Sequence, residues 1–173
     1  MAIARGLSEV GSQRALEILQ EVTGSEGLGR AIWLLGADDC PEHARLLDAY
    51  FLNRCARSER RTLGLARGIG KAQDRFRVLA GILRCLIGLE PGHDVTRHRR
   101  VCLWIDEMEE LVYFTPARYR PFVQGLRELV DRLPDFFSLF MNFTLTTPEE
   151  LDEIKVILGE ALADRITDII RCD

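Results

Sequence analysis

The sequence has few histidines, no closely paired cysteines and no long apolar run. It contains three histidines and five cysteines, and no two cysteines form a C-x-x-C pair. The residue spacing that typical zinc sites require is therefore missing. No apolar stretch approaches the ~20 residues of a membrane span, and Arg5, Glu9 and Arg14 interrupt any signal-peptide core. We therefore expect a cytoplasmic protein with reduced thiols.

Charge is distributed unevenly along the chain. The first 100 residues carry 16 Lys/Arg and 12 Asp/Glu, whereas the remaining 73 carry 7 and 15. Such a division indicates two structural layers or two functional faces. The net charge of −4 does not by itself favour nucleic-acid binding. A length of 173 residues with 47% hydrophobic content is sufficient for a compact domain with its own core.

Residues 1–95 are predicted to form a helical segment. Apolar residues recur there at three- and four-residue steps, which is the period of an amphipathic helix. Gly24-Ser25 interrupts the pattern, and Pro41 is suited to the first position of a helix. The predicted helices cover residues 7–22, 31–35, 43–55 and 71–86.

Residues 96–173 are predicted to form a small parallel α/β sheet. The apolar run 101–105 shows no alternation, which favours a strand buried on both faces with Trp104 in the core. Helices at 119–133 and from Pro148 to about Ala163 separate this run from two further strands. About three strands would leave an open edge, which we expect the N-terminal helices or another chain to cover. The second and third strands are placed at 136–143 and 166–170.

Two adjacent carboxylates, Asp106 and Glu107, follow the first predicted strand. Ligands of open parallel sheets bind beyond the carboxyl ends of the strands. One carboxylate there can hold hydrated Mg²⁺, and the next can orient a water molecule that attacks a γ-phosphate. An apolar run followed by acids also arises wherever a strand meets solvent, so a purely structural role stays open.

The segment Val101-Cys102-Leu103-Trp104-Ile105-Asp106-Glu107 resembles the Walker B element of AAA+ and STAND-like P-loop ATPases. The resemblance implies that Asp106 is the magnesium-side carboxylate and that Glu107 activates water. It also implies that Asn142, about 35 residues further on, is the polar residue that contacts the γ-phosphate. Alternatively, Asn142 pairs with loop backbone, because buried polar groups need partners.

Arg165 lies just before the last predicted strand. In origin-recognition-like AAA+ ATPases, which the chain resembles, an arginine at this place reaches the nucleotide of a neighbouring subunit. An ion pair with Asp164 or Glu160 is the alternative. Residues 63–86 also resemble the helical insert of bacterial ATP-binding proteins from the BREX phage-defence neighbourhood.

A phosphate-binding loop G-x-x-x-x-G-K-[ST] is missing from the sequence. The nearest segment, 65–72, has Leu65 in place of the first glycine and Ala72 in place of the hydroxyl residue. We therefore expect ATP and Mg²⁺ to bind only when such a loop is supplied from outside this chain. The isolated chain is therefore predicted to be inactive. The complete module is expected to act as a nucleotide-driven switch or motor, with phage defence as one biological setting. The alternative is a non-enzymatic adaptor that keeps an ATPase-like scaffold and binds protein or nucleic acid.

A basic segment follows the third predicted helix. Its cations could follow a nucleic-acid phosphate backbone. Alternatively, they form a solvated face that pairs with the acidic second half of the chain. The segment contains Arg54, Arg57, Arg60, Arg61, Arg67, Lys71, Arg75 and Arg77, with Glu59 and Asp74 as its acids.

Overall fold

Helices form the first half of the chain, and a strand–helix–strand unit follows. The computed structural model describes residues 7, 10–37, 40–89, 100–134, 137–145, 147–166 and 168–169. The first half contains α1 (Ser12–Thr23), α2 (Glu26–Ala37), α3 (Pro41–Phe51), α4 (Arg57–Thr62) and α5 (Ala72–Ile87). The second half contains β1 (Val101–Ile105), a 3-10 helix (Met108–Tyr113), α6 (Pro116–Arg132), β2 (Phe137–Met141), α7 (Pro148–Leu158) and α8 (Glu160–Ala163). Within these ranges, no helix combines the length and apolarity needed to span a bilayer.

Glycine and proline set the helix boundaries near the places that the sequence predicts. α1 ends at Gly24, which adopts a left-handed conformation with φ 60°. Glycine takes this conformation without the steric cost that a Cβ would impose. Pro41 is the first residue of α3, as predicted. The helix predicted to run to about Ala163 is interrupted at Gly159, where φ is 72°.

The helical half has its own apolar core. Helices α1 and α2 approach so closely at Gly29 that a Cβ there would lie 2.6 Å from the backbone nitrogen of Gln20. The buried hydroxyl of Thr23 donates a 2.7 Å hydrogen bond to the carbonyl of Leu19, one turn earlier. The largest side chains that are almost fully buried here include Leu19, Ile32, Leu47, Tyr50 and Leu63.

Helices α5 and α6 join the two halves. Ala80 of α5 packs with Leu129 and Leu133 in a cluster that also receives apolar side chains from both strands. Arg132 adds a polar link, because its Nη1 donates a 2.6 Å hydrogen bond to the carbonyl of Val22 near the end of α1. The predicted helical segment therefore packs onto the α/β part through one shared interface.

The sheet consists of β1 and β2, paired in parallel from Val101↔Phe137 to Ile105↔Met141. The expected third strand is not confirmed by the described residues. The third predicted strand, at 166–170, lies partly outside the described residues, and those described there (Ile166, Asp168 and Ile169) are not in a strand. The fold is therefore α/β at a coarse level, with a helix-rich chain and a two-stranded sheet. Neither outer edge pairs with another described strand, and the predicted cover of the edge stays a prediction.

The burial of the sheet corrects a sequence-based expectation. Strand β1 alternates between half-buried and exposed residues, so the prediction of burial on both faces is wrong. Trp104 is 67% exposed and does not belong to the core. It stacks on Phe140 of β2 with ring centroids 5.6 Å apart and an interplanar angle of 16°. Helices α5 and α6 cover one face, while Cys102, Trp104 and Phe140 form an exposed face opposite.

Candidate functional site

The carboxyl ends of β1 and β2 lie side by side, as the parallel register requires. Backbone pairing continues one step beyond the strands: the amide of Asn142 donates to the carbonyl of Ile105 at 2.8 Å. The carbonyl of Asn142 in turn accepts a 3.1 Å hydrogen bond from the amide of Met108. These bonds fix the two chain segments that leave the sheet, and they hold the acidic residues after β1 next to the residue that ends β2.

Asp106 and Asn142 are in direct contact at this edge. The side-chain Nδ2 of Asn142 donates a 2.8 Å hydrogen bond to Oδ1 of Asp106. The same oxygen accepts a 3.0 Å hydrogen bond from the backbone amide of Glu107. Both side chains are exposed to solvent. The backbone of Asn142 pairs with the neighbouring loop, but its side chain is committed to the carboxylate, so the sequence-derived pair does meet at one place.

Glu107 has an unusual backbone conformation for a residue with a side chain. Its φ of 57° and ψ of 35° are left-handed, and it precedes the 3-10 helix as its N-cap. Such a conformation costs a non-glycine residue about 1 kcal/mol or more. The exposed side chain forms no hydrogen bond or ion pair within the described ranges. The backbone at this position is therefore constrained, and the carboxylate remains available to a ligand or to water.

A third acid supports the site and was not singled out in the sequence. Oε2 of Glu109 accepts a 3.1 Å hydrogen bond from the backbone amide of Thr144, which lies in the segment after β2. Glu109 thereby ties the 3-10 helix to that segment. The only signal in the sequence is the presence of further acids after Asp106-Glu107, and such a run is equally typical of a solvated turn.

The carboxylate of Asp106 has lone pairs that are free to contact an ion. Among the described residues, no group of three or more His, Cys, Asp or Glu side chains is arranged to hold a metal. Magnesium is commonly bound through one or two carboxylates, several waters and the phosphates of a substrate. Asp106 can supply one such carboxylate, since a carboxylate offers about four lone-pair sites and its Oδ1 uses two of them here.

Arg165 is not part of this cluster. Its Nε and Nη2 both lie 2.8 Å from Oδ1 of Asp131. Asp131 is in the last turn of α6, shortly before β2 begins, whereas Asn142 follows the end of β2. The described ion pair of Arg165 is therefore with α6. The suggested role of Arg165 at a neighbouring subunit's nucleotide stays a prediction.

In the segment that most resembles a phosphate-binding loop, two backbone amides are already bound by the carboxylate of Asp74. Oδ2 of Asp74 accepts hydrogen bonds from the backbone amides of Gly70 (3.2 Å) and Lys71 (3.1 Å) at the start of α5. A phosphate that bound to these two amides would have to displace the carboxylate of Asp74. Leu65 and Ile69 are buried in the helical core. This geometry agrees with the exclusion of residues 65–72 as a phosphate-binding loop.

Four arginines of the basic segment lie in or just before α4 and are the ones expected to contact nucleic acid: Arg54, Arg57, Arg60 and Arg61. Arg54, Arg57 and Arg61 face solvent, whereas Arg60 is half-buried. The Nη1 of Arg60 donates a 2.6 Å hydrogen bond to the carbonyl of Cys55. The guanidinium of Arg60 thus holds the loop before α4, and contact of these four arginines with nucleic acid stays a prediction.

Comparison with known proteins does not assign the chain to a family. No family model matches the chain, and no curated protein or solved structure is significantly similar to it. A functional interpretation accordingly rests on the residues at the strand ends and on their geometry.

Proposed function

We propose that this chain is the metal- and water-binding half of an ATP-hydrolysing module of the AAA+/STAND-like type. The observation that carries the proposal is the 2.8 Å hydrogen bond between Asn142 and Asp106 at the ends of adjacent parallel strands. In this proposal Asp106 binds hydrated Mg²⁺, Glu107 orients the attacking water, and Asn142 fixes the carboxylate and faces the γ-phosphate. Phosphoryl transfer depends mainly on such positioning and on charge neutralisation.

The arrangement of the carboxylates supports separate roles for them. Asp106 is held by two hydrogen bonds to one oxygen, which fixes its orientation. Glu107 has no such restraint on its side chain within the described part of the chain. A fixed carboxylate is suited to holding an ion shell, and an unrestrained neighbour can accept a hydrogen bond from water.

The isolated chain is proposed to hydrolyse ATP negligibly. Residues 65–72 lack the first glycine and the hydroxyl residue of a phosphate-binding loop, and Asp74 already accepts hydrogen bonds from the amides of Gly70 and Lys71. The remaining groups at Asp106 could bind Mg²⁺·ATP only weakly. A phosphate-binding loop supplied from outside the chain would complete the site.

Weak nucleotide binding can be localised by NMR with Mn²⁺ in place of Mg²⁺. Addition of ATP with Mn²⁺ to the chain should broaden the amide signals of Glu107, Met108 and Asn142 before those near Asp131. Asp106→Asn should remove this broadening. Asp48→Asn, which makes the same charge change at an exposed position of α3, should retain it. Equal broadening in both variants would reject Asp106 as the ion-binding residue.

Turnover can be tested once a phosphate-binding loop is supplied. Glu107→Gln should then abolish hydrolysis and spare ATP binding, because the amide cannot accept a proton from water. Retained hydrolysis in this variant would reject the catalytic assignment. Binding of a protein partner without any nucleotide effect would favour the adaptor alternative.

A further inference from the structure

The loop around α4 carries a compact set of exposed arginines. We propose that Arg54, Arg57, Arg61 and Arg67 form a surface that binds the phosphate backbone of duplex nucleic acid without reading its sequence. This proposal is independent of the ATPase proposal, because the strand ends that carry Asp106 and Asn142 supply none of these residues.

The fold brings these arginines together from two parts of the loop. A Cβ at Gly68 would lie 3.4 Å from the Oδ1 of Asn53, so the side chain of Asn53 lies beside Gly68. Arg67 and Arg54 are the immediate neighbours of these two residues. Arg57 and Arg61 are four residues apart in α4, which places them on the same side of that short helix.

Arg60 connects the two parts of the loop that carry these arginines. Its Nη1 bonds to the carbonyl of Cys55, and its side chain also lies beside Gly68. Burial raises the pKa of Tyr50 to about 12, while Arg60 and Arg67 act in the opposite direction. Tyr50 is buried in the helical core together with Leu63, Leu65 and Ile69 of this loop.

The acids of the segment bond to backbone amides and, in the part of the chain that the structure describes, form no ion pair with these four arginines. Oε2 of Glu59 accepts a 2.7 Å hydrogen bond from the amide of Ala56 at the start of α4. Asp74 is engaged by the two amides at the start of α5. Within the described ranges, the four exposed arginines form no ion pair with any carboxylate, so their positive charge is available to an external anion. The pairing with the acidic half that was the sequence-based alternative is not seen for Arg54, Arg57, Arg61 and Arg67.

The chemistry of the surface favours duplex backbone over other anionic partners. Residues 52–71 contain no aromatic side chain, so there is no platform on which unpaired bases could stack. Helix α4, with the sequence RSERRT, has no apolar face to enter a membrane. The hydroxyl of Ser58 can add a hydrogen bond to a phosphate oxygen. Because the net charge is −4, attraction must come from this local set of cations.

Fluorescence anisotropy with a labelled duplex of about 25 base pairs tests the proposal across a salt series. The chain should bind two unrelated duplex sequences equally, with log K falling linearly as log salt rises. Arg57→Ala combined with Arg61→Ala should reduce that slope by about 2 and weaken binding about eightfold per lost contact at 0.1 M salt. Arg60 is left unchanged in this variant, because its loss would disturb the fold.

The matched control is Arg120→Ala combined with Arg127→Ala, which removes the same charge from exposed positions of α6. The control should leave both slope and affinity unchanged, and circular dichroism should show that both variants are folded. Absence of duplex binding at low salt would overturn the proposal. Equal losses in the two variants would also overturn it, as would binding to anionic lipid vesicles but not to duplex.

Discussion

The side-chain amide of Asn142 donates a hydrogen bond of 2.8 Å to the carboxylate of Asp106, joining residues 36 positions apart. A hydrogen bond to a charged group contributes about 1.5–3 kcal/mol, and less where water competes, as it does at these exposed side chains. We expect Asn142→Ala to lower the free energy of unfolding by about 1 kcal/mol. In an Asp106→Ala background the same substitution should have almost no effect. Urea denaturation of the four proteins measures this coupling, and additive losses would show that the contact contributes nothing.

The left-handed backbone at Glu107 predicts a gain in stability on substitution by glycine. Glu107→Gly should raise the free energy of unfolding by about 1 kcal/mol, because glycine has no Cβ to clash at a φ of 57°. Glu107→Gln keeps the Cβ and should give no gain. Thermal unfolding of both variants provides the measurement. Equal stability of the glycine and glutamine variants would mean that no strain is held at this position.

The exposure of Trp104 predicts a fluorescence signal accessible to quenchers. Trp104 is 67% exposed, whereas Trp33 is half-buried and its Nε1 is shielded from solvent. Acrylamide should therefore quench the emission of a Trp33→Phe variant strongly and that of a Trp104→Phe variant weakly. Similar quenching constants would show that another segment or a second molecule covers the exposed face of the sheet.

Two glycines of α2 should respond in opposite directions to alanine. A Cβ at Gly29 would meet backbone atoms of α1, whereas one at Gly27 would meet nothing within 4 Å. Gly29→Ala should destabilise the protein by about 1–3 kcal/mol through overpacking. Gly27→Ala should stabilise it by up to about 1 kcal/mol, since alanine favours the helix. Denaturation midpoints compare the pair directly, and a harmless Gly29→Ala would contradict the close approach of α1 and α2.

Tyr50 predicts a loss of stability at alkaline pH. Its pKa is about 12 in the folded protein, because burial disfavours the phenolate, against about 10 in an unfolded chain. Between these values the unfolded chain has released the proton and the native protein retains it. Stability is therefore complete below pH ~10 and falls by up to about 1.4 kcal/mol per pH unit above it. Tyr50→Phe should flatten this dependence, whereas Tyr113→Phe, at an 84% exposed residue, should not.

The positions of the strands and of their polar ends could be predicted from sequence. An apolar run that stops abruptly at Asp106 indicates a strand end, and a parallel sheet then places it beside the next strand end at Asn142. The helix boundaries at Gly24 and Pro41 follow from local backbone preferences, which need no tertiary information.

Features that depend on distant residues could not be predicted in this way. The run 101–105 is apolar on both sides, so residue type does not reveal that helices cover one face and leave Trp104 exposed. Arg165 binds Asp131, 34 residues away, and no local pattern indicates that partner.

The carboxylate of Asp74 at the start of α5 limits how mutation could convert residues 65–72 into a phosphate-binding loop. Replacing Leu65 with glycine and Ala72 with serine would complete the written motif, yet Asp74 would still occupy the amides of Gly70 and Lys71. The first change would also remove a side chain that is only 2% exposed in the helical core. A variant with the complete phosphate-binding motif would thus be less stable. It would still be unable to hold a triphosphate, because the carboxylate of Asp74 already occupies the amides that should bind the phosphates.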